Sequence, residues 1–299
     1  MDIIISSVSQ GFFWSLMAIG VYMTFRLLDI ADLSAEGSFP LGAAICAQLL
    51  VHGYSPIVAT LASFIGGMLA GGVAGFLHTK MHIPSLLTGI LVLTGLYSFN
   101  LRLMGRANIP LMTTPTLILK VQSLGISDEW AGFIVGLLMV ILVISVLVWF
   151  LNTSFGLALR ATGDNQMMST ANGINVKKMM VLAYMISNGL IALSGALLAQ
   201  NNGYADISMG IGTIVIGLAS VIIAEVLFHN LTIGQRFLTI VAGSIIYRLV
   251  IDFVMQQAFI PITPSDIKGL SAIALAIILW APHATKAFQT NRNIKRNNR

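Results

Sequence analysis

Most of this chain is apolar, so the charged residues inside its long apolar runs are the ones whose chemistry stands out. Arg248 and Asp252 lie four residues apart in one such run, which places them on the same face of a helix. An ionisable group at membrane depth is costly and is usually paired or functional. We predict an intramembrane ion pair with a structural role, with contact to a transported solute as the alternative. Glu225 lies near the end of its run and is interpreted as interfacial.

No arrangement of residues predicts catalysis or a metal site. His78 and His82 have the i, i+4 spacing of metal ligands on a helix, but the sequence offers no third ligand nearby. No nucleophile accompanies a general base, and no G-x-x-x-x-G-K-[ST] stretch could hold ATP phosphates. No series of acidic residues or histidines resembles a proton relay. We therefore expect no enzyme activity, no metal and no cofactor bound by this chain.

The composition places the chain in a membrane. Of its 299 residues, 57% are hydrophobic and 9% are charged, whereas soluble domains carry about 25% charged residues. Apolar runs of about 20 residues can cross a bilayer as helices, and the alternating pattern of a transmembrane barrel is absent. We predict an all-α, polytopic membrane protein with a single domain over 1–299. Its roughly nine predicted membrane segments are 4–25, 38–54, 56–77, 84–103, 130–151, 178–200, 209–228, 236–258 and 267–285.

The distribution of Lys and Arg predicts the orientation of these segments. Basic residues concentrate in cytoplasmic loops. With the basic tail 286–299 in the cytoplasm, the polar segment 155–178 is cytoplasmic too, because four membrane segments separate the two. This orientation places the C-terminus inside and the N-terminus outside. The tail could also contact anionic lipid.

Two stretches are too rich in glycine and proline to be continuous helices. They are 33–42 (Leu-Ser-Ala-Glu-Gly-Ser-Phe-Pro-Leu-Gly) and 208–218 (Ser-Met-Gly-Ile-Gly-Thr-Ile-Val-Ile-Gly-Leu). Both are associated with an Asp-x-Ser sequence, at Asp32 and at Asp206, and the predicted topology has them enter the membrane from opposite sides. Such an inverted pair of broken or re-entrant helices points to a transport pathway; close packing of two glycine-rich helices is the alternative. The predicted pathway residues are Ser34, Glu36, Gly37, Ser38, Gly42, Ser208, Gly210 and Gly212.

The polar segment 155–178 contains the signals of a short helix. Asp164 or Thr162 can cap its start, Gln166-Met-Met-Ser-Thr-Ala forms its body, and Gly173 suits the left-handed residue that ends it. A helix of two to three turns is marginal alone, so a partner must hold it, and its two methionines offer adaptable contact area. A simple interfacial helix is the alternative.

The same segment resembles part of a known family. Arg160-Ala-Thr-Gly-Asp-Asn-Gln, Ala171 and Gly173-Ile-Asn resemble the cytoplasmic coupling segment of the branched-chain amino acid and ribose class of ABC importer permeases. Ile186-Ser-Asn-Gly-Leu-Ile-Ala-Leu-Ser-Gly-Ala-Leu-Leu-Ala is similar to that family's next helix, and Glu36-Gly-Ser-Phe-Pro-Leu-Gly-Ala-Ala is loosely similar to its early glycine-containing segment. Within that family, the small size of this chain resembles that of the subgroup tied to aromatic amino acid uptake. The resemblance implies ATPase contact for Arg160, Gly163, Asp164, Asn165, Gln166, Ala171 and Gly173.

The resemblance also implies partners and a location. It implies a permease subunit in a prokaryotic plasma membrane that dimerises around a central pathway, with a homodimer favoured over a heterodimer. An extracytoplasmic binding protein would deliver the solute, and a separate pair of ATPase subunits would hold ATP and Mg. No nucleic acid is expected.

Several solutes and mechanisms stay open at this point. An amino acid, branched-chain or aromatic, is the first expected solute, and a sugar or nucleoside the second. An ion-coupled secondary transporter is the alternative from another class, because inverted broken helices suit it equally. A membrane scaffold or receptor without transport would leave the glycine-broken segments unexplained.

Overall fold

The computed structural model describes residues 2–228, 231–256 and 269. Apart from residue 269, the predicted segment 267–285 lies outside the described residues, as does the basic tail 286–299. The described helices are α1 (Asp2–Phe25), α2 (Ala35–Val51), α3 (Pro56–Lys80), α4 (Ser85–Met104), α5 (Leu117–Gln122), α6 (Asp128–Leu151), α7 (Ser154–Asp164), α8 (Gln166–Ala171), α9 (Val176–Asn202), α10 (Thr213–Leu227) and α11 (Ile233–Gln256).

The helical membrane architecture is confirmed, but the predicted count of about nine segments is not. Within the described residues, six helical stretches are long and apolar enough to cross a membrane. They are Ile4–Phe25, Pro56–Lys80, Ser85–Met104, Trp130–Leu151, Val176–Asn202 and Ile207–Leu227. Helix α2, at 17 residues, is shorter than a full span.

Helix α9 is the centre of the bundle. It packs against α1, α2 and α3, and every residue from Ser187 to Gln200 is buried. Small residues allow this close approach. A Cβ added at Gly42 of α2 would overlap the carbonyl oxygen of Ala192 in α9. The predicted pathway residue Gly42 therefore lies at a contact between two helices. Glycine lets helix backbones come together in a membrane.

A two-stranded sheet modifies the predicted all-α class. Strands β1 (Asn108–Pro110) and β2 (Tyr204–Asp206) pair antiparallel, with Asn108 opposite Asp206. Strands of three residues are too short to show an alternating pattern in the sequence, so neither was predicted. The sheet marks one end of the bundle, here called the β end; α7 and α8 mark another surface, called the α8 end.

The interruption predicted within 33–42 lies earlier in the chain. Helix α2 is continuous from Ala35 and includes Pro40, and the non-helical part is 26–34. Because Pro40 has no N–H, the carbonyl of Glu36 loses its usual donor four residues on. Gly210 packs closely against that carbonyl and against the Pro40 ring. The proline is thus accommodated by a neighbouring segment without breaking the helix.

The second predicted interruption, within 208–218, is confirmed. A single 3₁₀ turn over Ile207–Gly210 comes before α10, and Gly212, with φ of +79°, caps the start of that helix. A residue with a side chain would be strained at this φ. The glycine therefore lets the chain turn from the β end into α10.

Candidate functional site

One polar junction lies where the chain enters α2. The Asp32 side-chain oxygen Oδ1 accepts a hydrogen bond from the backbone N–H of Ser34, at 2.9 Å, and a second from the Ser34 hydroxyl. Side chains of Asp favour such local turns. Both residues are buried, with Asp32 only 1% exposed. A buried carboxyl group is costly unless its oxygens are hydrogen-bonded, so the second oxygen needs a partner as well.

Asn188 in α9 provides that partner. Its Nδ2 donates to Asp32 Oδ2 at 2.8 Å, and its Oδ1 accepts from the Ser38 hydroxyl at 2.6 Å and lies 3.1 Å from the Ser34 hydroxyl. We call these four residues, Asp32, Ser34, Ser38 and Asn188, the buried junction. Because all four are buried, the junction fixes the first turn of α2 to the middle of α9.

A second polar junction repeats this chemistry at the β end. Asp206 Oδ1 accepts from the Ser208 backbone N–H, at 2.7 Å, and from the Ser208 hydroxyl. Asp206 Oδ2 accepts from Asn108 Nδ2, at 3.1 Å. We call these three residues the surface junction, because Ser208 and Asn108 are exposed. Both junctions therefore consist of an Asp-x-Ser turn completed by an asparagine from another element.

The helices that follow the two junctions meet at their N-terminal ends. Glu36, in the first turn of α2, accepts a hydrogen bond through Oε1 from the backbone N–H of Gly212, which caps α10, at 3.0 Å. A carboxyl group is favourable at a helix N-terminus because the unsatisfied N–H groups there carry partial positive charge. The Glu36 side chain thus lies in the first turn of α2 and also accepts a hydrogen bond from the residue that caps α10.

The predicted pathway residues take different positions around this meeting point. Glu36 and Gly37 line a cavity of about 290 Å³ between α2, α4 and the 3₁₀ turn. Gly42 packs on α9 and Gly210 on Glu36. Ser34 and Ser38 are buried, and Ser208 is exposed. Gly212 caps the start of α10.

Two short helices form the polar segment 155–178, where the sequence predicted one. Helix α7 begins after Thr153, and helix α8 begins after Asn165, whose Oδ1 accepts from the Met168 N–H at 2.9 Å. The cap predicted at Asp164 or Thr162 is therefore wrong. Thr162 is buried within α7, where its hydroxyl bonds the Ala158 carbonyl. Helix α8 has six residues, fewer than the predicted two to three turns.

The end predicted for this helix agrees with the structure, and its body is exposed. Gly173, with φ of +81°, follows α8 in the left-handed conformation. Met167 is 87% exposed and Met168 is 66% exposed. The other predicted coupling residues that are exposed are Asp164, Asn165, Gln166, Ala171 and Gly173. The α8 end thus presents soft apolar side chains on a capped helix.

Arg160 and Gly163 are partly buried in α7. A Cβ added at Gly163 would overlap the backbone carbonyl oxygen of Leu27. Leu27 belongs to the non-helical connection 26–34, which continues to the buried junction. Gly163 therefore places the C-terminal part of α7 against the chain that leads into α2.

Glu225, interpreted as interfacial, forms ion pairs in the structure. Its Oε1 accepts from Arg26 Nε at 2.7 Å and from Arg236 Nη1 at 3.2 Å. These residues lie after α1, near the end of α10 and at the start of α11. The cluster connects α10 to the same connection that Gly163 contacts.

The predicted pair Arg248 and Asp252 lies within α11. Arg248 Nε donates to Asp252 Oδ2 at 3.0 Å, and its Nη2 lies 3.0 Å from Oδ1. This two-point contact is the strong form of an arginine–carboxylate pair. The side chains are 22% and 17% exposed.

Sequence reasoning missed the asparagines of both junctions. Asn188 had a usable signal, since the polar pair Ser187–Asn188 interrupts the apolar stretch 179–193 and intramembrane polar residues usually have a partner. Asn108 had no comparable signal, because it lies outside the long apolar runs, where a polar residue does not stand out.

Comparison with known proteins identifies the class. The family model described as "Branched-chain amino acid transport system / permease component" matches residues 3–281. This chain therefore belongs to that family of ABC transporter permeases, as the resemblance of its coupling segment predicted.

Individual relatives add detail. The chain is 43% identical to the tyrosine transport system permease protein of Clostridioides difficile (strain R20291), over 92% of this chain and 90% of that protein. It is 26% identical to the D-allose transport system permease protein AlsC of Escherichia coli (strain K12), over 80% of this chain and 69% of that protein. A solved structure of an inward-facing metal-chelate type ABC transporter has a similar fold, with a TM-score of 0.50 and 16% identity, covering 93% of this chain and 83% of that chain.

Proposed function

We propose that this chain is the permease subunit of an ATP-driven importer of an amino acid, with an aromatic amino acid as the first candidate. Membership of the permease family and the 43% identity to a tyrosine transport system permease support the proposal. The solute would be delivered by an extracytoplasmic binding protein. Two copies of the chain would enclose the pathway in a prokaryotic plasma membrane.

The observation that carries the proposal is the exposure and attachment of the α7–α8 segment. Helix α8 presents Met167 and Met168, and α7 holds the connection 26–34 through Gly163. A cytosolic ATPase dimer that contacts α8 would move α7 and, through Leu27, the chain that enters α2. The α8 end and the C-terminus would then be cytoplasmic, in line with the distribution of basic residues.

The same route reaches both α2 and α10, whose starts meet at the proposed pathway and which we call the two half-helices. Movement of the connection 26–34 would act on α2 through the buried junction and on α10 through the Arg26–Glu225 ion pair. The ends of α2 and α10 meet at Glu36 and Gly212. Opening and closing of the proposed pathway would therefore change the region where the two half-helices touch, as in transporters whose broken helices surround a central site.

The test replaces the exposed methionines, because they contribute little to the packing of this chain. We expect M167E combined with M168E to abolish co-purification with the ATPase and to reduce uptake at least tenfold, because two carboxylates would be desolvated in the contact. The level of protein in the membrane should be unchanged. The matched control is M112E, since Met112 is 81% exposed outside the α7–α8 segment. Normal uptake by the double variant would refute the coupling role.

A second experiment separates the classes of transporter and of solute. Reconstituted alone in liposomes, the chain should not move any solute, whereas an ion-coupled secondary transporter would respond to an ion gradient. With the ATPase and binding protein added, uptake of tyrosine, leucine, a nucleoside and D-allose should be compared. Uptake of D-allose or the nucleoside in place of both amino acids would assign the chain to a sugar or nucleoside importer.

A further inference from the structure

An apolar groove opens on the surface of the bundle between α3, α6 and α9. Its volume is about 560 Å³, and leucine, isoleucine, valine, methionine and phenylalanine side chains form most of its lining. Leu61 from α3 and Val146 from α6 are each more than half exposed. Because both helices are long and apolar enough to cross a membrane, exposed apolar side chains on them face lipid or a partner. The groove therefore lies at membrane depth.

The groove offers almost no polar side-chain group to an occupant. Thr60 has the one hydroxyl in its lining, and this hydroxyl donates to the Pro56 carbonyl oxygen at 2.8 Å and accepts from Gln200 Nε2 at 2.9 Å. The other polar atom of the lining side chains is the indole nitrogen of Trp149, a side chain that suits the boundary between lipid and water. The occupant that fits the groove is therefore a hydrocarbon chain.

A second cavity continues the groove toward the α8 end. Its volume is about 490 Å³, and Leu182 of α9 lines both cavities. In α3 the groove is lined by residues within 57–68 and the second cavity by residues within 72–80; in α9 the corresponding ranges are 182–193 and 175–185. The two cavities are therefore consecutive sections of one surface along the contact between α3 and α9. We call the second cavity the lysine mouth.

Three exposed lysines give the mouth its charge. Lys80 lies at the end of α3, and Lys177 and Lys178 lie in the first turn of α9. Within the described residues, none of the three forms an ion pair. The positive end of the α9 helix dipole adds to their charge. The mouth thus presents a positive charge without a counter-charge at the polar end of an apolar groove.

An anionic phospholipid matches both parts of this surface. Its phosphate complements the lysine mouth, since basic pockets between transmembrane helices bind phospholipid head groups. Its acyl chain packs in the groove by van der Waals contact. A free phosphate would leave the groove unused, and a soluble acidic protein would not reach a groove at membrane depth.

We propose that an anionic phospholipid of the leaflet on the α8 side binds with its phosphate at Lys80, Lys177 and Lys178 and with one acyl chain in the groove. The proposal goes beyond the proposed function and does not depend on which solute is transported. Asn175 lines the mouth and caps α9, two residues after Gly173. A bound lipid would therefore hold the start of α9 beside the segment proposed to contact the ATPase.

Trp149 makes the occupant of the groove measurable, because its side chain lines the groove and is 71% exposed. The full-length chain is placed in nanodiscs of phosphatidylcholine that contain a rising fraction of brominated phosphatidylglycerol or, in a matched series, of phosphatidylcholine with the same brominated chains. Bromine on the acyl chain quenches tryptophan fluorescence on contact, and subtracting the signal of W149F isolates Trp149 from the other tryptophans. We expect half-maximal quenching by phosphatidylglycerol at a fraction about tenfold lower than by phosphatidylcholine, and a smaller difference at high salt.

Variants test whether the lysines cause this preference. The triple variant K80Q, K177Q and K178Q should lose it, so that both brominated lipids quench Trp149 alike, whereas the triple variant K80R, K177R and K178R should keep it. The matched control is K120Q, because Lys120 is an exposed lysine of α5 outside the mouth, and it should keep the full preference. Quenching by phosphatidylcholine should be unchanged in all these variants, which a misfolded chain would not give.

Several results would overturn the inference. Equal quenching by the two lipids in the unaltered chain would show no selection for an anionic head group. No quenching of Trp149 by either lipid would show that a second copy of the chain or another partner covers the groove. Displacement of phosphatidylglycerol by inorganic phosphate would assign the lysines to a free anion. Loss of ATPase co-purification in the glutamine triple variant, with its preference for phosphatidylglycerol unchanged, would assign them to the protein partner.

Discussion

The buried junction and the surface junction share their local structure and differ in their surroundings. Each has an aspartate that accepts from the backbone and hydroxyl of the serine two residues later, and an asparagine on its second oxygen. Asp32 is buried against the centre of α9, whereas the Asp206 turn is attached to a two-stranded sheet with exposed partners. The same hydrogen bonds therefore contribute more to stability in the buried junction, because water can replace them in the surface junction but not in the buried one.

One glycine inside each of the two following helices, Gly42 in α2 and Gly217 in α10, shows a related contrast. A Cβ at Gly42 would overlap the backbone of α9 at Ala192, whereas a Cβ at Gly217 would meet the side chains of Val21 and Met17, the nearest at 3.0 Å. Backbone atoms move only with their helix, whereas two of the three atoms nearest to Gly217 belong to Met17, whose unbranched side chain can change rotamer. The contact at Gly42 is thus fixed by backbone atoms, whereas the contact at Gly217 involves side chains.

The largest expected difference is between the two asparagines. N188L removes hydrogen bonds to three buried residues, Asp32, Ser34 and Ser38. Interhelical hydrogen bonds in membranes average about 0.6 kcal/mol, with a maximum near 1.7, so we expect a loss of about 2–4 kcal/mol. N108L, which removes one exposed bond, should change little. Equilibrium unfolding in mixed detergent micelles, followed by tryptophan fluorescence, compares the two. Similar losses in both variants would show that burial does not separate the junctions.

The glycine pair should give the next largest difference. G42A forces α2 and α9 apart and should cost about 1–3 kcal/mol, the usual range for overpacking. G217A should cost less than about 1 kcal/mol, because flexible side chains give way. The same unfolding measurement applies, and the transport rate of both variants would show whether looser packing of α2 alters the pathway. An undisturbed G42A protein would contradict the close contact at Ala192.

The serine pair should give the smallest difference. S34A removes a buried hydroxyl that contacts Asp32 and Asn188, and we expect a loss of about 1 kcal/mol. S208A removes an exposed hydroxyl, which water replaces, so its stability should be close to that of the unaltered chain. If S208A lowers the stability more than S34A does, the surface junction stabilises the fold despite its exposure.

The sequence predicted the chemistry of these sites better than their boundaries. The residues around Asp32 and Asp206 were recognised as related, because the Asp-x-Ser pattern favours one local turn. The break placed within 33–42 was misplaced, because the effect of Pro40 depends on Gly210, which is 170 residues away in the chain. The cap of α8 was assigned to Asp164 or Thr162 and not to Asn165, since all three are competent residues and the end of α7 was not visible in the pattern.

The sequence by itself determined that the chain lies in a membrane, that the helix is interrupted within 208–218, and that the segment 155–178 resembles a family's coupling segment. These follow from composition, glycine and proline content, and local side-chain chemistry, all of which act over a few residues. Only the tertiary structure decided that Asn188 completes the first junction, that Gly163 contacts Leu27, and that Glu36 joins two helix starts. Such contacts depend on how helices far apart in sequence pack together, and a pattern of neighbouring residues does not show which helices will meet.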